Sequence, residues 1–123
     1  MYNTYNRFEI WLAELPKQDD SHVTAGTRPV ILISNDTANL HSSVLTVIPV
    51  TSKVQKRQMP THVYLAGCGL CLPSLALAEQ VTAIDKTRLL KKIGYISDYF
   101  TRMQLVHALE VQLGIVPLLR PAA

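Results

Sequence analysis

The sequence has few charged residues for a chain of its size. Asp, Glu, Lys and Arg make up 17% of its 123 residues, whereas hydrophobic residues make up 48%. We expect residues 1–123 to form one domain, with a core over about 7–114, that buries roughly two thirds of its unfolded surface. The apolar excess indicates that some surface is buried against a second chain. The formal net charge of +3 permits a nucleic-acid partner without requiring one.

Long hydrophobic runs are also missing. The longest uncharged run, Val63 to Ala78, is shorter than a membrane span and is interrupted by Gly67, Gly69 and Pro73. The N-terminal segment has no basic stretch followed by an apolar one, as a secretory signal has. We therefore expect a cytoplasmic protein that does not associate with membranes.

Cysteine is scarce, with only Cys68 and Cys71, in the motif C-G-L-C. A redox pair needs a helix N-terminus to lower the thiol pKa, whereas Pro73 and a β-rich run follow this motif. A zinc site needs two more ligands, which only His62 or a second subunit could supply. The sequence favours two small apolar side chains in a loop. The motifs HExxH, GxxxxGK[ST] and GxSxG are absent, which argues against zinc proteases, P-loop enzymes and α/β-hydrolases.

Alternating and continuous apolar runs predict about five short strands. They are Arg7–Glu14, Pro29–Asn35, Val44–Thr51, Thr61–Ala66 and Ser74–Thr82. The polar segment Leu15–Thr27 is long for a hairpin, so it is expected to be mobile or functional. The segment Asn35–Ser43 is expected to turn the chain.

Two helices are expected after the strands. Asp85 is a candidate N-cap for a short helix over 86–92 that ends at Gly94. Ser97 or Asp98 can cap a second helix that runs through Leu113. Its apolar residues at three- and four-residue spacing predict a core-facing stripe of Phe100, Met103, Val106, Leu109 and Leu113. The whole pattern favours a strongly bent barrel capped by helices.

Arg28 is the first candidate for a functional residue. Pro29 pushes Arg28 toward an extended conformation, and Gly26 keeps the preceding turn open to a ligand. A guanidinium suits a phosphodiester and the charge of a phosphorane transition state. The alternative is a strand-end arginine paired with Glu9 or Glu14, and the local sequence does not separate the two.

A strand end with two hydroxyls beside a basic loop is the second candidate. Thr51 and Ser52 end the strand and open onto Lys53, Lys56 and Arg57. Such groups can hold phosphate oxygens while the loop follows a nucleic-acid backbone. The alternative is a strand terminus followed by a solvated loop.

Glu79, Gln80 and His22 complete the set of candidates. Glu79 lies in an otherwise apolar strand, so it is either paired with an arginine such as Arg28 or a proton acceptor. His22, in the polar loop, could act as an acid or a base near Arg28. The other histidines are interpreted as surface residues, His41 and His107, and as a structural hydrogen-bonding residue, His62.

Six segments in order resemble the MazF/PemK-type toxins, the ribonuclease members of type II toxin–antitoxin pairs. The resemblance spans about residues 8–114 and rests on FEIWLAELP, GTRPVILISNDTAN, TVIPVTSK, MPTHVYL, LALAEQVTAIDKTRLLKKIG and ALEVQLG. Each segment alone is weakly specific. The blocks G-x-R-P-V, P-x-T-S and E-Q-x-x-x-I-D-K in this order are specific.

The resemblance implies a mainly β fold, an SH3-like (CcdB/PemK-type) small β-barrel with a short helix and a C-terminal helix, that works as a homodimer. It implies sequence-selective endoribonuclease activity on single-stranded RNA, without metal or cofactor, that leaves a 2′,3′-cyclic phosphate and a 5′-hydroxyl. The implied partners are a cognate antitoxin and, only through the antitoxin complex, operator DNA.

The resemblance also implies roles for individual residues. The family's arginine falls on Arg28, which would support proton transfer and stabilise the phosphorane, and its strand-end threonine on Thr51, which would hydrogen-bond the scissile phosphate. Glu79 and His22 match an acidic residue and a histidine that some members use in catalysis. We expect RNA contacts from Ser52, Lys53, Lys56, Arg57 and Gln80.

The chain departs from the family pattern at several positions. Phe8 stands where the family usually has Gly, Val23–Gly26 replaces E-Q-G-G, Pro73 replaces an acidic residue, and Leu77 replaces an arginine. Arg28 and Thr51 keep the pattern. Two alternative functions stay open at this point: a toxin of the related gyrase-poison type that cuts nothing, and a non-catalytic SH3-like binding module.

Overall fold

The described part of the chain folds into a seven-stranded antiparallel sheet with two α-helices. The computed structural model describes residues 4–54 and 59–115. Its elements are β1 (Glu9–Leu15), β2 (Gly26–Leu32), α1 (Asp36–His41), β3 (Val44–Thr51), β4 (His62–Leu65), β5 (Ser74–Leu77), β6 (Thr82–Asp85), β7 (Leu89–Tyr95) and α2 (Tyr99–Gln112), with 3₁₀ turns at Ala78–Gln80 and Lys86–Arg88. The expectation of a mainly β chain with a C-terminal helix is confirmed.

The strands follow the order β4-β5-β3-β2-β1-β7, and β6 also pairs with β3. Within the described part of the chain, the end strands β4 and β7 do not pair with each other, so the expected barrel is open. Two apolar clusters fill the two faces of the bent sheet. One contains Ile10, Ile31 and Ile48, and the other contains Val30 and Leu45, because side chains alternate between the faces of a strand.

β3 has two different partners along the same edge. Val47 pairs with Thr82 of β6, whereas Val50 pairs with Ala76 of β5. The 3₁₀ turn Ala78–Gln80 carries the chain from one partner to the other. The prediction of one continuous strand over 74–82 is therefore wrong at Ala78–Gln80, where the strand is interrupted. This interruption places Glu79 and Gln80 on a turn beside the C-terminal half of β3.

The short helix expected over 86–92 is wrong. Asp85 does act as a cap, since its side chain accepts a hydrogen bond from the backbone N–H of Thr87, but the turn it caps ends at Arg88. Leu89–Tyr95 is instead strand β7, paired with β1. The open edge of β1 satisfies the backbone groups of this segment, and such tertiary pairing overrides a local helical preference. Gly94 lies inside the strand, where an added Cβ would stand 1.8 Å from the carbonyl oxygen of Cys68.

A short helix occupies part of the segment expected to be only a turn. α1 spans Asp36–His41, and the side chain of Asn35 caps it by accepting a hydrogen bond from the backbone N–H of Ala38 at 2.8 Å. Asn is a strong N-cap residue, so the sequence contained this signal.

The C-terminal helix α2 is confirmed, with Asp98 as its N-cap. The expected core-facing stripe is wrong for three residues, since Phe100, Met103 and Leu113 are 68%, 44% and 63% exposed. It is partly correct for Val106 and Leu109, which are partly buried and pack against the core. The buried residues are Leu105 and Ala108. Apolar residues surround much of this helix, so spacing alone could not identify the face that meets the sheet. Neither described helix is long and apolar enough to cross a membrane.

Phe8 adopts the left-handed backbone conformation, with φ of 73°. This conformation costs a bulky residue free energy and costs glycine little, so it agrees with the Gly that the resemblance implies at this position. In this chain the ring is buried in the core, with the guanidinium carbons of Arg7 and Arg102 at 4.7 and 4.9 Å from its centroid. Burial and cation–π contacts offset the cost of the conformation.

Candidate active site

Most of the candidate residues surround one cavity of about 300 Å³. It lies where the start of β2, the end of β3, the start of β4 and the turn after β5 meet. Of the predicted residues, His22, Arg28, Thr51, Lys53, Glu79 and Gln80 border it, together with Thr24, Met59, His62, Leu75 and Leu77. Ser52 borders an adjacent, more apolar cavity that shares Arg28 with this one. Lys56 and Arg57 lie outside the described residues.

Arg28 enters the cavity from the start of β2, opposite Ala13 of β1. Its Nε donates a hydrogen bond to the carbonyl oxygen of Ala25 at 3.0 Å. In the described part of the chain no carboxylate pairs with this guanidinium, and Glu9 instead pairs with Lys92 at 3.0 Å. The alternative of a structural ion pair at Arg28 is therefore wrong for the described residues. Among residues 4–54 and 59–115 its terminal nitrogens have no hydrogen-bond partner, so they could bind a phosphate.

Thr51 is the last residue of β3. Its Oγ1 accepts a hydrogen bond from the backbone N–H of Lys53 at 3.2 Å. A hydroxyl has one donor in addition to its acceptor lone pairs. The bond from Lys53 uses a lone pair of this oxygen and not its proton. The O–H can therefore still donate to a phosphate oxygen in the cavity.

Glu79 projects from the 3₁₀ turn toward the start of β4. Its Oε1 accepts a hydrogen bond from the hydroxyl of Thr61 at 2.9 Å, and its Oε2 lies 2.9 Å from Nε2 of His62. The suggested pairing of Glu79 with Arg28 is not the arrangement that the structure has. The sequence interpretation of His62 as a hydrogen-bonding residue agrees with this geometry, but its partner and its place at the cavity were missed. Two polar residues, Thr61 and His62, before an apolar strand were the only local signal.

Gln80 and His22 connect the turn to the polar loop between β1 and β2. The side-chain oxygen of Gln80 accepts a hydrogen bond from the backbone N–H of Thr24 at 2.7 Å, although 56 residues separate them. This contact holds the loop that carries His22 against the turn that carries Glu79. The loop contains no regular element between Leu15 and Gly26, so single contacts of this kind determine its position.

The charged groups at the cavity favour an anionic ligand. Arg28 and Lys53 contribute positive charge, and Glu79 contributes the one carboxylate among the described lining residues. A phosphodiester matches this balance, because it brings one negative charge to two cations. Within residues 4–54 and 59–115, no three side chains of His, Cys, Asp or Glu come together as a metal site.

Neither cysteine borders the main cavity, although Cys71 borders the adjacent cavity together with Arg28 and Ser52. Both are free thiols in the loop before β5, and the backbone of Cys68 is left-handed with φ of 47°. Burial raises the pKa of the Cys68 thiol. A thiol with a raised pKa is a weak nucleophile at neutral pH, which supports the interpretation as loop side chains.

Comparison with known proteins identifies the family. A family model described as PemK-like, MazF-like toxin of type II toxin–antitoxin system matches residues 6–110. A curated endoribonuclease MazF from Staphylococcus saprophyticus is 34% identical over 111 residues, which cover 89% of this chain and 91% of that protein.

Solved structures share the fold. The toxin MazF-mt6 of Mycobacterium tuberculosis matches with a TM-score of 0.72 at 25% identity, over 86% of this chain and 96% of that one. A MazF from Deinococcus radiodurans matches with a TM-score of 0.76 at 21% identity, over 92% and 99% of the two chains. An endoribonuclease from a mycobacterial species, solved with its cognate antitoxin, matches with a TM-score of 0.74 at 20% identity, over 91% and 97%. The CcdB/PemK-type fold is thus confirmed, and the chain belongs to the PemK-like, MazF-like toxins of type II toxin–antitoxin systems.

Proposed function

We propose that this toxin is an endoribonuclease that cleaves single-stranded RNA without a metal ion, by attack of the ribose 2′-hydroxyl on the neighbouring phosphorus. The observation that carries the proposal is the meeting of the guanidinium of Arg28, the hydroxyl of Thr51 and the carboxylate of Glu79 at one cavity. Each comes from a different segment of the chain. The 34% identical relative is named an endoribonuclease, which supports the same activity.

The reaction requires two proton transfers. The 2′-oxygen forms a bond to phosphorus and gives up its proton, while the bond from phosphorus to the 5′-oxygen breaks and that oxygen receives a proton. The products are a 2′,3′-cyclic phosphate and a 5′-hydroxyl. Glu79 is the proton acceptor in this scheme, because its carboxylate has lone pairs beyond those used by Thr61 and His62. His22, which borders the same cavity, is the donor to the leaving oxygen.

Charge stabilisation is the role of Arg28 and Thr51. The guanidinium is permanently charged, and its terminal nitrogens match the non-bridging oxygens of a phosphate. Negative charge on these oxygens grows in the phosphorane transition state, so a fixed cation stabilises that state more than the substrate. The hydroxyl of Thr51 donates to the scissile phosphate and holds it in line.

RNA contacts outside the reacting phosphate involve the flanking polar and basic residues. Lys53 borders the cavity and would neutralise a neighbouring phosphate, and Ser52, the residue before it, borders the adjacent cavity and would contact the RNA there. Gln80 keeps its amide N–H groups for an RNA base or phosphate, since its oxygen is used by Thr24. Lys56 and Arg57 are assigned to the same backbone contacts from the sequence alone.

The test is cleavage of a defined single-stranded RNA in the presence of EDTA, with mapping of the new 5′ ends. We expect cleavage with 5′-hydroxyl ends, and none of an RNA that carries 2′-O-methyl groups, because the nucleophile is blocked. The variant Arg28→Ala should be inactive while keeping its unfolding temperature. Cleavage that persists in Arg28→Ala would contradict the assigned site. A wild-type protein that cuts no RNA would favour a gyrase-poison-type toxin or a binding module.

The partners follow from the same proposal. We expect a homodimer, a cognate antitoxin that covers the cationic cavity, and operator DNA bound only through the antitoxin complex. Exposed apolar side chains on one side of α2, including Tyr99, Phe100 and Met103, support the homodimer. The mycobacterial structure in which a chain of this fold is bound to its antitoxin supports the second expectation. We place this activity in the cytoplasm, where its RNA substrate is found.

A further inference from the structure

We propose that His62 is a positioning residue of the active site, which acts by holding the carboxylate of Glu79 in the orientation that proton transfer needs. Thr61 is the second residue that holds this carboxylate. The inference rests on the ribonuclease function proposed above, in which Glu79 accepts the proton of the 2′-hydroxyl.

A hydrogen-bond chain sets the tautomer of His62. The backbone N–H of Met59 donates to Nδ1 of His62 at 3.2 Å, so Nδ1 acts as the acceptor and the ring proton resides on Nε2. Nε2 in turn donates to Oε2 of Glu79 at 2.9 Å. The turn before β4 therefore determines which ring nitrogen faces the carboxylate.

Thr61 fixes the other oxygen of the same carboxylate. Its hydroxyl donates to Oε1 of Glu79 at 2.9 Å, and its carbonyl oxygen accepts the backbone N–H of Ala78 at 3.0 Å. One donor on each oxygen defines both the position and the plane of the carboxylate. Lone pairs that remain on these oxygens can receive a substrate proton.

Burial indicates that His62 acts through Glu79 rather than on RNA directly. The side chain of His62 is 7% exposed and that of Glu79 is 21% exposed. Both ring nitrogens of His62 already have protein partners. Thr61 is 5% exposed. The carboxylate is therefore the most exposed part of this cluster, and the other charged or titratable side chains that border the same cavity are Arg28, Lys53 and His22.

Two substitutions of His62 separate positioning from packing. His62→Phe keeps a ring of similar size but removes the donor, whereas His62→Gln keeps an N–H that can reach Oε2 of Glu79. We expect kcat for RNA cleavage to fall about tenfold to hundredfold in His62→Phe, the range typical of residues that orient a reacting group. KM should stay within twofold, because no RNA contact is lost. His62→Gln should recover most of the lost rate.

A double-mutant cycle gives the decisive measurement. If His62 acts through Glu79, then His62→Phe should change the residual rate less than twofold in a Glu79→Gln background. Thr61→Val should show the same dependence on Glu79 and serves as the second variant if His62→Phe is unstable. His41→Phe, the same change at an exposed histidine on α1, is the matched control and should leave kcat unchanged. Unfolding temperatures are measured for every variant.

The outcomes distinguish this inference from the function on which it rests. Wild-type kcat in His62→Phe, or an equal loss of rate with and without Glu79, would overturn the positioning role while ribonuclease activity stands. A rise in KM alone would assign His62 to RNA binding and also overturn it. Absence of RNA cleavage by the wild-type protein would overturn the proposed function, and this inference with it.

Discussion

Arg28 directs its Nε back to the carbonyl oxygen of Ala25, three residues earlier, at 3.0 Å. The bond uses Nε, whereas a phosphate can be bound by the two terminal guanidinium nitrogens together. It therefore orients the side chain, and among the described residues both terminal nitrogens stay without a partner, as the proposed contact with RNA requires. In the proposed mechanism, this bond sets the direction of the cation at the start of β2 before RNA binds, and such preorganisation lowers the cost of stabilising charge in the transition state.

Replacing Arg28 with lysine should abolish most of the activity although the charge is kept. Lysine has no donor at the position of Nε and presents a single point charge instead of two terminal nitrogens. We expect kcat to fall by about 10²–10³, as for the loss of a transition-state donor, with a smaller change in KM. Single-turnover cleavage of a short RNA measures both. Near-wild-type kcat in Arg28→Lys would show that charge alone is sufficient.

The contact between Gln80 and Thr24 should control the order of the loop that carries His22. Gln80→Leu removes the acceptor for the backbone N–H of Thr24, and a hydrogen bond of this kind contributes about 1 kcal/mol, roughly fivefold in an opening equilibrium. Hydrogen exchange at the amide of Thr24 should accelerate by about this factor. Gln80→Glu, which keeps an acceptor, is the matched variant and should exchange near the wild-type rate. Unchanged exchange in Gln80→Leu would contradict this role.

Glu9 should make the stability of the fold depend on pH. Burial raises the pKa of this carboxyl, but hydrogen bonds from the backbone of Asn6, from Trp11, from Lys92 and from the side chain of Asn6 outweigh burial and leave the pKa below its usual value. A carboxyl with a lowered pKa in the folded state stabilises the protein above its unfolded pKa of about 4.3. This stabilisation is lost as the pH falls from that value through the folded pKa.

The variant Glu9→Gln tests this linkage. Its amide N–H groups would face the donors of Lys92 and Asn6, so the free energy of unfolding at pH 7 should fall by about 1.5–3 kcal/mol, the contribution of a hydrogen bond to a charged group. The difference from wild type should shrink as the pH falls below about 4.3, because wild-type Glu9 then becomes protonated. Chemical denaturation of both proteins, from pH 7 to below about 4.3, measures this difference in the free energy of unfolding. Glu14→Gln, an exposed change in the same strand, is the control and should show no such trend.

We expect the exposed apolar face of α2 to be buried against a second copy of the chain in a homodimer. Phe100 and Met103 are 68% and 44% exposed on the side of the helix away from Leu105 and Ala108. The wild-type protein should sediment at twice the chain mass of 13.7 kDa, and a double change to glutamate, Phe100→Glu with Met103→Glu, should yield monomers. Leu40→Glu, at a 65% exposed position on α1, should leave the dimer intact. A dimer that survives the double change would place the interface elsewhere.

The sequence by itself determined the strands with strong apolar patterns and the residues next to them. β3 has the limits that its apolar run predicts, and Asp98 caps α2 as its residue type predicts. Buried runs and N-caps are local signals, because a few adjacent residues contain the whole preference. The ordered blocks around Arg28 and Thr51 likewise pointed to the toxin family before any contact was known.

Only the tertiary structure decided where segments pair and which side chains meet. The segment Leu89–Tyr95 is a strand because β1 offers it an edge, and its own sequence resembles a capped helix. The link between Glu79 and His62 crosses 17 residues and depends on the interruption between β5 and β6. Distant contacts of this kind have no local pattern, since they follow from the register of strands that pair only after the chain has folded.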